Sequence, residues 1–214
     1  MSYDLQEQEQ LDALKAWWRD NANWVTALSI GVLLAVGAYQ GWSWYTIRQA
    51  SAAAAVYEQF DKASSSKDPK DVAKARDLVG TLIDQHGSTL YATMAALRAA
   101  KSNVDTGDAK TAKSQLTWVT EHASQKELAL LARVRLAGIL LDEKAYDQAL
   151  QTLRADVPDA FAGEFADRRG DVYAAQGKVK DARAAYADAL AKASSQPMRT
   201  LIQMKLDALP PDGA

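Results

Sequence analysis

Hydrophobic and polar positions follow two regimes along this chain. Residues 21–47, a run of 27, carry no charged side chain, whereas beyond Arg48 apolar residues recur every three to four positions between short polar breaks. A helix rises about 1.5 Å per residue and needs roughly 20 residues to cross a hydrocarbon core, so the first regime predicts a membrane-spanning helix. Its centre, residues 30–39, holds neither charge nor amide side chain. Trp17, Trp18 and Trp24 precede that centre, and Tyr39, Trp42, Trp44 and Tyr45 close it. Amphipathic rings favour the headgroup level, and a soluble core helix gives no reason for five of the six tryptophans to gather in two belts.

Before the span, Leu11, Leu14 and Trp17 or Trp18 stand at helical spacing among acidic and amide residues, the pattern of a short interfacial helix. Ala50-Ser51-Ala52 has the small residues of a signal-peptidase site. The long acidic region ahead of it, with Trp42, Trp44 and Arg48 intervening, favours an uncleaved signal anchor. Lys15 and Arg19 on the amino side face Arg48 on the other, a slight bias that puts the amino terminus in the cytoplasm. The expected order is a cytoplasmic amphipathic segment over 1–22, a transmembrane anchor over 23–47 and a periplasmic helical domain over 48–214. Within the anchor, Ala27, Gly31 and Ala35 recur every four residues. Gly37 and Gly41 form a pair at the spacing that lets a second helix approach closely.

The second regime reads as helical hairpins. Breaks are expected at residues 64–69, at His86-Gly87, around Gly107, after His122, at Gly163, at Gly177 and at 194–197. The clearest unit, GDVYAAQGKVKDARAAYADAL over 170–190, resembles a tetratricopeptide repeat. Gly170 and Tyr173 stand on its first helix, Gly177 at the turn, and Ala182, Tyr186, Ala189 and Leu190 on its second. It departs from the motif at Ala166 and Arg169. A shift of 33 residues sets Ala149 under Ala182 and Leu153 under Tyr186. A further 37 brings Ala112 and Leu116 into register, and another 37 brings Ala75 and Val79. Four helical pairs fit, and no pair can bury its apolar face alone, so an all-α solenoid is expected. Residues 197–211 then place Leu201, Ile202, Leu206 and Leu209 on one face as a C-terminal capping helix stopped by Pro210 and Pro211.

Composition narrows the chemistry. A net charge of -2 and a pI near 5.7, with no basic patch, argue against nucleic-acid binding. Without cysteine there are no disulfides, thiolate metal sites or thiol catalysis. The two histidines, His86 and His122, each fall near the end of a second helix, where imidazole serves the terminal carbonyls. No metal, nucleophile or phosphate motif accompanies them. No catalytic residue, cofactor, metal or small-molecule substrate is therefore expected. What stacked repeats do offer is a groove built from their first helices. By resemblance to the repeat, it is expected to carry Met94, Leu97 and Lys101, then Leu131, Val134 and Leu141, then Asp167, Asp171 and Ala174.

Over nearly its full length the chain resembles the YfgM family of ancillary SecYEG translocon subunits. The resemblance rests on LDALKAWWRDN, the single apolar segment with its Trp-Tyr exit, LARVRLAGILLDEKAYDQALQTL, ADRRGDVYAAQGKVKDARAAYADAL and LIQMKLDAL in that order. It implies a single-pass bacterial inner-membrane protein with a periplasmic tetratricopeptide-like domain. It also implies association with the translocon and a membrane-anchored periplasmic chaperone, and handling of emerging polypeptides. A scaffold of another envelope complex is the structural alternative, and an enzyme the third.

Overall fold

In the computed structural model, which describes residues 3–211, the described residues form nine α-helices and no strand. They run α1 Tyr3–Ser64, α2 Pro69–His86, α3 Leu90–Asp105, α4 Ala109–His122, α5 Lys126–Asp142, α6 Tyr146–Thr152, α7 Asp159–Ala175, α8 Val179–Lys192 and α9 Gln196–Asp207. The chain divides into two compact units, Met1–Gln49 and Ala50–Ala214.

The first unit is the leading part of α1. Among the described residues this is the one helix long and apolar enough to cross a membrane, and none of its most apolar 18-residue window is buried. Leu33, Leu34, Tyr39 and Trp42 all stand exposed. Arg48 lies 4.2 Å above the Trp44 ring, so the first charge beyond the apolar run is spread over an aromatic face. Nothing lies within 4 Å of where a Cβ would stand on Gly37 or Gly41.

The second unit stacks helical pairs: the end of α1 with α2, α3 with α4, α5 with α6 and α7 with α8, followed by α9. Asp68 caps α2 by accepting from the Lys70 amide at 2.8 Å, Asp108 caps α4 through the Thr111 amide, and Ser195 caps α9 through that of Met198. Each later pair closes through the same turn. Asp108 N–H donates to the Asn103 carbonyl, Ala145 N–H to that of Leu140 and Lys178 N–H to that of Tyr173, at 2.8 to 2.9 Å. The residue before each donor is left-handed: Gly107 at φ 84°, Lys144 at 61° and Gly177 at 72°. Glycine occupies this conformation at no steric cost, and Lys144 occupies it at a penalty.

The core follows the repeat register. Ala112, Ala149 and Ala182 on the second helices are fully buried, and Leu116, Leu153 and Tyr186 one turn later nearly so. The equivalent first-helix positions are Ala100, Ala137 and Gly170, all buried. Where the second helix carries tyrosine the first has shrunk to glycine, and a Cβ on Gly170 would stand 2.4 Å from the Tyr186 ring. Ile202 of α9 completes the last apolar cluster, together with Ala166, Tyr186 and Ala189.

One expected break is corrected, and one break was not expected. Gly163 does not interrupt a helix. It lies inside α7, buried, where a Cβ would come within 2.9 Å of the Lys192 carbonyl oxygen, so it permits a close backbone approach. The unexpected break follows α6, which stops at Thr152 after 7 residues where α4 and α8 each run 14. Pro158 stands at the register of Glu121 in α4. It offers no amide donor and holds the preceding Val157 away from helical geometry, so the last turns of this second helix cannot form.

Candidate binding groove

First helices α3, α5 and α7 line two depressions that meet at Arg168. One, about 360 Å³, is walled by Lys101 and Val104 of α3, Arg135 and Ile139 of α5, and Arg168. The other, about 400 Å³, runs from Val134 past Glu164 and Asp167 to Pro197, Met198 and Leu201. Together they form one groove with an apolar floor and charged walls.

The structure distributes the nine expected groove residues unevenly. Lys101, Val134 and Asp167 line the groove. Met94 on α3 is 40% exposed. Leu131, Val134 and Leu141 are half-buried against the central core, and Ala174 half-buried against the last cluster. Leu97 packs in the core with Ala96, Ala100 and Leu116 and lines neither depression. Asp171 is committed to a polar network with neighbouring side chains.

That network fixes the carboxyl-terminal end of the groove. Lys205 of α9 donates to both Asp167 oxygens at 2.7 and 2.8 Å and lies 2.8 Å from Asp171. Tyr186 donates its hydroxyl to Asp171 at 2.9 Å, and Arg168 reaches the other Asp171 oxygen at 3.2 Å. Burial pushes the Asp167 carboxyl above its ordinary range, the Asp171 charge adds to this, and Lys205 opposes it. The Tyr186 hydroxyl is likewise raised, by burial and then by the Asp171 charge. The arrangement ties α9 to α7.

Sequence reasoning missed two groove residues, Arg135 and Arg168. The signal was present: Arg98, Arg135 and Arg168 recur at the 37- and 33-residue spacings of the repeat itself. Each reaches back to the preceding first helix. Arg98 pairs with Asp61, Arg135 donates to the Leu97 carbonyl at 3.5 Å, and the Arg168 guanidinium packs where a Cβ on Gly138 would touch it at 3.7 Å. Among the described residues Arg135 has no carboxylate partner.

Among the described residues no cluster of three or more histidine, cysteine, aspartate or glutamate side chains could hold a metal ion. His122 hydrogen-bonds the Trp118 carbonyl at 3.0 Å and stacks on the Trp118 ring, centroids 5.1 Å apart. These contacts give it the helix-terminal role its position suggests.

Comparison with known proteins agrees with this architecture. Residues 15–211 match the family model described as a tetratricopeptide repeat-like domain. A protein of Neisseria gonorrhoeae named ancillary SecYEG translocon subunit is 34% identical over 98% of this chain and all of its own length. Proteins of the same name from Escherichia coli and Haemophilus influenzae are 27% and 25% identical, over 95% and 98% of this chain and 96% and 100% of their own. No solved structure matches. Matched to the family model along almost its whole length, and to a relative a third identical from end to end, the chain belongs to the tetratricopeptide repeat-like family that includes the ancillary SecYEG translocon subunits.

Proposed function

We propose that this chain is an inner-membrane accessory of the SecYEG translocon, anchored by α1 and working through its repeat groove as a binding protein, not an enzyme. The observation that carries the proposal is the end-to-end correspondence with relatives of that name, which takes in the apolar helix and the repeats alike. The amino terminus lies in the cytoplasm and the repeats in the periplasm, in line with Lys15 and Arg19 against Arg48. There the groove engages a membrane-anchored chaperone or an emerging polypeptide. Tethering raises the groove's effective concentration at the membrane, so modest intrinsic affinity suffices. Gly37 and Gly41 give the anchor a face for a second helix.

The test is photocrosslinking in intact cells from Val134 and Lys101 in the groove and from Gly41 in the anchor. Groove adducts with secreted chains or a periplasmic chaperone are expected, and anchor adducts with a translocon subunit. Recovery of none of these refutes the proposal. Affinity purification of the intact chain beside a version lacking residues 1–47 then separates partners held by the anchor from partners held by the repeats.

A further inference from the structure

The early stop of α6 opens a second cleft, of about 690 Å³, away from the first-helix groove. Its floor is aliphatic, Leu136 and Leu140 of α5. Its walls carry Lys113 of α4, Arg133 of α5 and Arg154 just beyond α6, and no carboxylate lines it. Lys113 is neutralised by Glu143 at 2.6 Å. Among the described residues Arg133 donates only to the Thr152 carbonyl, at 3.3 Å. Arg154 is exposed, its backbone amide bonding the Gln151 carbonyl. Among the described residues neither guanidinium has a carboxylate partner, so two positive charges stand unmatched in one cleft.

From this arrangement we infer that the cleft is a binding site for an extended acidic polypeptide segment, one that sets two carboxylate side chains on Arg133 and Arg154 and an apolar side chain between them on Leu136 and Leu140. Guanidinium forks pair carboxylates bidentately, and the apolar floor gains from a buried side chain. Gln148 and Gln151 also line the cleft, and each side-chain amide offers both a donor and an acceptor, the pairing a peptide backbone needs and a phosphate does not. The inference rests on the cleft alone and is independent of translocon association.

The full-length protein in nanodiscs of zwitterionic lipid is titrated against a labelled synthetic peptide with glutamate on either side of a central leucine, read by fluorescence anisotropy. The peptide is expected to bind, with affinity falling several-fold between 50 and 300 mM salt, as for any partly exposed charge contact. Arg154→Glu should weaken binding at least tenfold, Gln151→Glu several-fold, and Lys180→Glu, on the exposed face of α8 away from both clefts, not at all. Arg154 is exposed and makes no side-chain hydrogen bond or ion pair among the described residues, so its variant keeps the wild-type melting profile. Equal binding of a peptide with glutamine in place of glutamate overturns the inference. So does unchanged binding by Arg154→Glu and Gln151→Glu together, or displacement of the peptide by millimolar inorganic phosphate.

Discussion

Replacing Gly170 with alanine places a methyl carbon 2.4 Å from two carbons of the Tyr186 ring. Ordinary contact begins near 3.4 Å, so the ring must withdraw by about 1 Å in a core packed at crystal-like density. Tyr186 is 3% exposed and its hydroxyl is held on Asp171 at 2.9 Å, so withdrawal also lengthens a hydrogen bond to a charged group. Overpacking costs about 1–3 kcal/mol and a hydrogen bond to a charge is worth about 1.5–3 kcal/mol, while alanine returns about 1 kcal/mol of helix propensity. A net loss of about 2–3 kcal/mol is expected. Pulse proteolysis of the full-length protein in detergent across a urea series reads it on the repeat domain. The other units supply the compensating change, since Ala100 shares a register with Leu116 and Ala137 with Leu153. Adding Tyr186→Leu to Gly170→Ala recreates that pairing, and a double-mutant cycle should show coupling of about 2 kcal/mol. A Gly170→Ala loss below about 0.5 kcal/mol, or additivity in the cycle, refutes the close approach.

Lys144→Gly, relieving the one left-handed residue among those described that is not glycine, should stabilise the domain by about 0.5–1 kcal/mol in the same assay. Phe165→Ala, at 1% exposure in the central core, should cost about 3–5 kcal/mol. Lys205→Met should cost about 3 kcal/mol at neutral pH by leaving Asp167 and Asp171 facing each other. Because the folded state holds the Asp167 proton more tightly than the unfolded chain, that deficit should shrink as pH falls toward the raised Asp167 value, and a deficit that grows counts against the network. Asp108 has the opposite sign. The Thr111 side chain and then its backbone amide hold the Asp108 carboxyl below the ordinary range, so its contribution is present above that range and is lost as pH falls toward the lowered value. Asp108→Asn should flatten this part of the stability–pH curve.

Periodicity made most of the fold legible. The uncharged run and its aromatic belts marked α1, and the small residues Ala112, Ala149 and Ala182 gave the repeat register because a position that must touch another helix tolerates little volume. What escaped was local. Gly163 reads as a breaker by composition, yet it lies inside α7, and the position is glycine because the carboxyl end of α8 approaches it, a tertiary cause absent from its neighbourhood in sequence. The stop after α6 is written in Val157-Pro158, where the repeat register otherwise matches at its small and apolar positions. For the groove, apolar periodicity could not separate Leu97, turned into the core, from Met94, one turn earlier and exposed. Arg135 and Arg168 leave no mark in apolar periodicity, since a charged side chain adds nothing to it, though their spacing equals the repeat's own.

The short α6 also bears on how the domain comes apart. In a stack where each unit is held mainly by its neighbours, stability is a sum of pairwise interfaces, and the weakest one sets where opening begins. Half of a second helix is missing from the third unit, and α6 meets α7 far less extensively than α4 meets α5, so the interface on the carboxyl side of that unit is the thinner one. Hydrogen exchange should therefore divide the domain at residues 153–158, with the α3–α4 amides and the α7–α8 amides protected as two separately opening blocks. A seam of this kind would let one half yield under load from a bound chain while the other keeps its hold.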